Sequence, residues 1–236
     1  MFVNFSSWVP WVCNVLVSSY SCRYILHVLE FRKLGVCCWI RNMEYFVKNT
    51  WNGDIITTHD PVKFTLSTSD DMKSMVVNVE APFFNDPAKP NSPVGKPCSQ
   101  LWDYEVVEIF FLGTNEKYLE VELCPHGQHL VLMLNGVRNI FKDQLELQFT
   151  SNKYAKHWNG EAKIPVNYFP PDVTMMNAYA IFGSGDARKY EALYPATKEF
   201  KHPDFHRLQF FKSFNMKKLF PELVANYDKS VVSHWS

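Results

Sequence analysis

An indole and several carboxylates stand together in mid-chain: Trp102, Asp103, Tyr104 and Glu105, with Glu108 six residues past the tryptophan. A pyranose has apolar C–H faces and a rim of hydroxyls, so a site for one needs a flat aromatic wall and a few polar groups at its edge. At strand spacing Trp102, Tyr104 and Glu108 share one face, and Asp103 and Glu105 share the other. A tryptophan at a strand start can equally plug a core, and both readings stay open. Glu120 and Glu122 alternate with Leu119, Val121 and Leu123, the ordinary pattern of an outer strand with one solvated face. On a concave face beside Glu108, three acids would instead need Arg138, Lys142 or Arg188 nearby, or a cation. Calcium takes carboxylate and carbonyl oxygens from such sites.

Other chemistries fit less well. Cys124-Pro-His126-Gly-Gln-His129 and His202-Pro-Asp204-Phe-His206 contain zinc-type donors, but neither paired Cys-x2-Cys nor His-Glu-x-x-His spacing is present. His126 precedes Gly127 in a tight turn, where a local role suffices. Cys124 between Leu123 and Pro125 reads as a packed strand end rather than an activated nucleophile. No Gly-x-Ser-x-Gly elbow occurs, and Gly183-Ser-Gly185 lacks the lysine of a phosphate loop. Glu105 with Glu122 could meet the carboxylate spacing of a glycosidase, as could many acids on a sheet. Gly183-Ser-Gly-Asp-Ala-Arg-Lys-Tyr190 reads as a hairpin; if it borders the Trp102 loop, Arg188 can close a pocket by hydrogen-bonding hydroxyls or a carboxylate.

The elements that must position these residues are mostly strands. Val62, Phe64 and Leu66 alternate with Lys63 and Thr65, and Met75–Val79 follows. Five prolines between Pro82 and Pro97 exclude a helix or central strand, so 82–100 reads as a long ordered loop. Loops of that length in a compact domain are often functional. Glu105–Leu112 is apolar on both faces, as a strand between two layers should be. Tyr118–Cys124 and Gln128–Leu134 complete a meander through Pro125-His-Gly127 and on to Asn135-Gly136, a strong hairpin signal. Further strands are expected at 160–165, 178–182, 189–194 and 208–211, with one short helix over 219–227. Strands at this spacing argue an antiparallel β-sandwich.

Three segments carry a resemblance: Leu101-Trp-Asp-Tyr-Glu-Val-Val-Glu-Ile-Phe-Phe, Tyr118-Leu-Glu-Val-Glu-Leu-Cys-Pro-His-Gly and Pro203-Asp-Phe-His-Arg-Leu-Gln-Phe-Phe. Over about 43–215 the chain resembles uncharacterised protein family 0462, an animal family known by an open-reading-frame name, whose members start near Met43. The same blocks are similar, more distantly, to family 9 carbohydrate-binding modules and DOMON-like β-sandwiches. That resemblance implies a sugar site in which Trp102 is the aromatic ahead of the central strand and Tyr194, in Ala192-Leu-Tyr-Pro195, is the second wall of an aromatic clamp. Cys124 stands where those modules usually have Asn, and their second wall is usually Trp.

Composition sets the outer bounds. The chain has 236 residues, with 47% hydrophobic and 20% charged, which suits a globular protein and not a disordered one. Twenty-four basic residues balance 24 acidic ones, so neither nucleic acid nor an anionic membrane is indicated as a partner. Residues 1–42 hold Cys13, Cys22, Cys37 and Cys38, with four basic residues and one acid, so residues 43–236 carry 20 basic and 23 acidic, a net of −3. No charge precedes Arg23, which argues against a secretory signal. Pro10, Asn14, Arg23 and His27 interrupt any membrane span. This segment reads instead as an extension ahead of the domain. Two remaining cysteines, Cys98 and Cys124, and no Asn-x-Ser/Thr after residue 42 favour a reducing compartment, the cytoplasm, and a monomer is expected.

The expectation is an all-β sandwich over 43–215, with an N-terminal extension at 1–42 and a C-terminal tail at 216–236. Its leading function is non-catalytic binding of a carbohydrate or small polar ligand by Trp102, Glu105, Glu108, Arg188 and Tyr194, with no cofactor required and calcium as the one candidate ion. The alternatives are a hydrolase, either metal-assisted through His126, His129 and His206 or carboxylate-driven, and a protein scaffold working through the loop 82–100.

Overall fold

A computed structural model describes residues 42–220 and 232–235. The expectations for residues 1–41, and for the terminal helix past residue 220, lie outside the described residues.

Two antiparallel sheets face each other. The smaller has the order β1-β3-β4-β10-β9, built from β1 (Met43–Val47), β3 (Val62–Thr68), β4 (Ser74–Pro82), β10 (His157–Pro165) and β9 (Gln148–Tyr154). The larger runs β2-β12-β11-β5-β6-β7-β8, from β2 (Asn49–Thr50), β12 (Lys189–Ala192), β11 (Met175–Phe182), β5 (Val106–Leu112), β6 (Lys117–Leu123), β7 (His129–Asn135) and β8 (Ile140–Lys142), with β13 (Lys212–Ser213) also paired to β11. The sandwich expected from the strand periodicity is therefore the fold. Gly127 (φ +93°) and Gly136 (φ +95°) make the two meander turns, each in the left-handed region that glycine enters without strain.

The alternation of β3 and β4 turns Phe64, Leu66, Val77 and Val79 inward against Ile109, Phe111, Val121, Leu123, Val131 and Met133 of the larger sheet. Phe111 meets Phe169 edge-on at 5.0 Å and Phe214 at 5.5 Å. Each such side chain, fully withdrawn from water, contributes roughly 1.5–3 kcal/mol.

The larger sheet is buried on its outer face as well, which explains why β5 shows no polar alternation. Val106, Phe110 and Leu112 of β5, Tyr118 of β6 and Leu130, Leu132 and Leu134 of β7 pack beneath Cys98, Leu101, Phe205 and Phe211. Two long loops thus form a third layer over the sheet. Residues 208–211 are part of that layer as a 3-10 turn (Leu208–Phe210) and not the expected strand.

A single helical turn, α1 (Val232–Trp235), docks on the domain near Tyr168. No helix of the described residues is long and apolar enough to cross a membrane.

Candidate functional site

A cavity of about 340 Å³ opens where the third layer leaves the outer face of the larger sheet incompletely covered. Its walls are Trp102, Tyr190 and Phe205, and its polar groups are Glu108, Glu120, Arg138, Asp204 and His206. Leu132, Ile140 and Ile181 supply apolar floor.

Trp102 lies on a 3-10 turn, Leu101–Asp103, entered through Gln100 in the left-handed region (φ +57°), and not on the strand that its spacing suggested. Leu101 beneath it is fully buried and anchors the turn to the sheet. Arg188 fixes the turn from outside: its Nη1 donates to Asp103 O at 3.0 Å and its Nη2 to Trp102 O. The 183–188 hairpin thus does border the Trp102 loop. Its guanidinium is engaged with backbone carbonyls and also lies 5.6 Å from the Tyr190 ring centre. Arg188 holds two walls of the cavity in place.

Tyr190 projects from β12 at the position paired with Ile181. It meets Phe205 edge-on at 6.0 Å, and Phe205 stacks on Tyr179 at 3.8 Å. The Pro203–His206 segment is tied down from its other side. Asp204 Oδ1 accepts from Arg138 Nη2 at 2.7 Å and from the His206 amide at 3.0 Å. The Tyr118 hydroxyl accepts from the Arg138 amide at 2.9 Å and lies 2.7 Å from His206 Nδ1. Burial, then the nearby Arg138 charge, pushes the His206 pKa down to about 4, so the ring is neutral at pH 7.

Glu108 and Glu122 sit opposite each other on β5 and β6, and Glu120 opposes Phe110 two residues along. All three point to the outer face. Glu120 and Glu122 are only 3% and 0% exposed, so the solvated-face expectation is corrected: the loop layer covers this side of β6. Burial pushes Glu108 up to about 8, against the pull of Arg188. Burial, reinforced by the negative charge of Glu108, also holds Glu120 and Glu122 well above the carboxylate range.

Of the residues expected at the site, Trp102 and Glu108 come together in the cavity, and Arg188 supports it from behind. Glu105 faces away from it. Its carboxylate accepts the amides of Phe84 at 3.1 Å and Asn85 at 2.7 Å, holding the start of the 83–100 loop. Tyr194 lines a different cavity, with Met43, Tyr45, Phe214 and Met216, because β12 ends at Ala192 and strand alternation lapses beyond it. Its amide and carbonyl are held by the Asn177 side chain. Tyr190, Phe205 and Asp204 were not expected. For Asp204 and Phe205 the signal is the Pro-Asp-Phe-His block, just ahead of the strand expected at 208–211; for Tyr190 it is its place in the strand expected at 189–194.

The three histidines of the hydrolase reading do not converge. His126 packs on Phe83 at 5.5 Å between ring centres, His129 Nε2 accepts the Leu147 amide at 3.1 Å, and His206 bonds to Tyr118. Among the described residues, the one set of three metal-competent groups is Glu108, Glu120 and Glu122. Phe83 and Phe84, the aromatics of the scaffold reading, are half-buried, and Phe84 stacks on Phe182 at 3.7 Å. Cys98 and Cys124 are both buried free thiols, and burial pushes Cys124 up to about 12, so the thiolate nucleophile is disfavoured.

No family model matches the chain. Among curated proteins it is 50% identical over 185 residues to the UPF0462 protein C4orf33 homolog of Rattus norvegicus, covering 76% of this chain and 92% of that protein. It is 48% identical to UPF0462 protein C4orf33 of Homo sapiens with the same coverage. Among solved structures, a Bacteroides uniformis protein described as "a putative carbohydrate-binding protein" superposes with a TM-score of 0.53 at 13% identity, over 73% of this chain and 86% of that one. A family 9 carbohydrate-binding module from Caldicellulosiruptor kristjanssonii in complex with glucose gives a TM-score of 0.44 at 16% identity, over 72% and 81%. At 13% identity the likeness to the Bacteroides protein speaks to the fold alone.

Proposed function

The chain belongs to the UPF0462 family, and from that premise we propose that its outer-face cavity is a non-catalytic binding site for a small glycan or similar polyhydroxylated ligand. The observation that carries this reading is the lining: three aromatic rings facing a set of carboxylate, guanidinium and imidazole groups in one cavity of about 340 Å³. A sugar ring of that size needs an aromatic wall for its C–H face and several fixed polar atoms for its hydroxyls. Trp102 is the wall held most firmly, by the Leu101 anchor and by Arg188. Glu108, Glu120 and Asp204 offer acceptors, Arg138 offers donors, and the His206 ring offers one more polar atom. The carbohydrate-binding description of the Bacteroides protein, which shares this fold, agrees with the reading.

Among the described residues that line this cavity there is no serine, threonine or cysteine and only one histidine, so binding without turnover is the simpler use of it. Among the described residues Cys98 and Cys124 are buried free thiols, which suits a reducing compartment, and the cytoplasm is the compartment we propose.

The test is the thermal midpoint of the full chain against a panel of mono- and oligosaccharides. A ligand at ten times its Kd adds about 1.4 kcal/mol, a rise of roughly 3–6 °C for a domain of this size. The expected result is a saturable rise with at least one sugar that Trp102→Ala removes. A flat response across the panel overturns the reading, as does a rise that Trp102→Ala leaves intact.

A further inference from the structure

We propose that Glu108, Glu120 and Glu122 form a binding site for a hard divalent cation of the calcium class. One oxygen from each carboxylate lies within 4.8 Å of the others, the separation that oxygens take around one ion with bonds of roughly 2.3–2.6 Å. The paired register of β5 and β6 sets this geometry: Glu108 faces Glu122 across the ladder, and Glu120 follows two residues along the same face.

The second observation concerns Glu122 itself. It is fully buried, and neither of its oxygens has a hydrogen-bond partner among the described residues. Glu108 Oε1 and Glu120 Oε2 are equally without a donor. Buried polar atoms are nearly always hydrogen-bonded, and four such oxygens at one place call for a group that supplies positive charge. The protein's own cations act only through space and on two of the acids, Arg188 on Glu108 and Arg138 on Glu120. Arg138 gives its Nη2 to Asp204, and Arg188 gives its guanidinium to the Trp102 and Asp103 carbonyls. Neither arginine hydrogen-bonds any of the three acids, and the charged groups acting on Glu122 are other acids.

Donor chemistry names the ion class. Three carboxylates with no histidine or thiolate select a hard cation, and calcium tolerates an irregular, carboxylate-rich shell better than magnesium, which demands near-octahedral geometry. Entry is through the cavity, since Glu108 and Glu120 line it and Glu122 lies beneath. The inference does not depend on a sugar binding there.

The experiment is titration of the full chain, stripped with chelator and then dialysed free of it, with calcium chloride by calorimetry and by thermal midpoint. Magnesium and zinc chlorides serve as parallel arms. We expect one equivalent of calcium to bind and to raise the midpoint by several degrees, with a smaller response to magnesium. Glu122→Gln is expected to lose the rise while keeping the wild-type far-UV circular dichroism. Should Glu122→Gln fail to fold, Glu120→Gln replaces it and is expected to weaken calcium at least tenfold. No calcium binding at millimolar concentration would overturn the proposal, and so would calcium binding that both glutamine variants retain. A response to zinc alone would overturn the assignment as a hard-cation site.

Discussion

The Tyr118 hydroxyl joins two loops and one titratable ring, so its surroundings make pH a sensitive probe of the cavity rim. Its partner His206 has a folded pKa of about 4 against an ordinary value near 6.5. A depressed histidine is neutral when folded and must be protonated against burial as the pH falls. Its contribution to stability is complete above pH 6.5 and is lost as pH drops through the interval down to 4. The size is on the order of 3 kcal/mol from the shift alone. Urea unfolding at several pH values is expected to show this loss in the wild type and a flatter profile in His206→Gln. Glu105 works in the opposite direction. Burial raises it to about 7 although the Phe84 and Asn85 amides pull it back, so its contribution is present below about pH 4.5 and is lost as pH rises to 7. Glu105→Gln is expected to remove that loss, yet to cost about 1–2 kcal/mol at pH 5, because an amide oxygen can serve one of the two N–H donors while its NH2 opposes the other. A profile for Glu105→Gln with the wild-type slope between pH 4.5 and 7 would contradict this assignment.

At the scale of elements, the turn from β5 to β6 leaves no room for a side chain at Gly113. A Cβ built on Gly113 would stand 2.1 Å from the Pro171 carbonyl oxygen, which is backbone and cannot swing aside, and 3.1 Å from the Pro170 ring carbon Cβ. Thr114 N also donates to that same carbonyl at 3.1 Å. Gly113→Ala is therefore expected to cost at least about 2 kcal/mol by separating the β5–β6 turn from 170–171, read as a lower urea midpoint with the m-value unchanged. The meander that this turn belongs to was legible in the sequence, since two-residue periodicity, Pro125-His-Gly127 and Asn135-Gly136 all mark it. Periodicity tells which side chains share a face of a strand. It does not tell what covers that face, and Glu120 and Glu122 were accordingly read as solvated. The covering layer includes residues 98–104 and 203–211, whose 3-10 turns carry no periodic signal. Tyr194, which the resemblance offers as the second wall, lies past the end of β12 at Ala192 and lines another cavity, whereas Tyr190 on that strand lines the cavity of Trp102.

Across the whole molecule, the C-terminal turn connects parts that are distant in sequence. Trp235 is buried, its Nε1 donates to Tyr168 O at 3.2 Å, and its ring meets Phe141 at 5.2 Å. Lys117 Nζ donates to Trp235 O at 2.9 Å and Lys142 Nζ to His234 O at 2.7 Å. Helix α1 thus spans from the 3-10 turn after β10, in the smaller sheet, to β6 and β8 in the larger one. A four-residue helix has no stability of its own, so these contacts must hold it there, and through it they hold β8 at the sheet edge. Trp235→Ala removes the indole and its hydrogen bond together and is expected to cost about 3 kcal/mol, a fall in thermal midpoint of roughly 6–12 °C. Ile140 of β8 lines the cavity one residue from Phe141, so loosening this edge is also expected to weaken ligand binding without abolishing it. The two effects separate in one experiment. Trp102→Ala should remove the ligand-induced rise while lowering the free midpoint by the smaller amount fitting a half-buried side chain. Trp235→Ala should lower the free midpoint more and keep a reduced rise at higher ligand concentration. If Trp235→Ala left the midpoint within about 1 °C of wild type, the docking of α1 on the two sheets would contribute nothing to the stability of the fold.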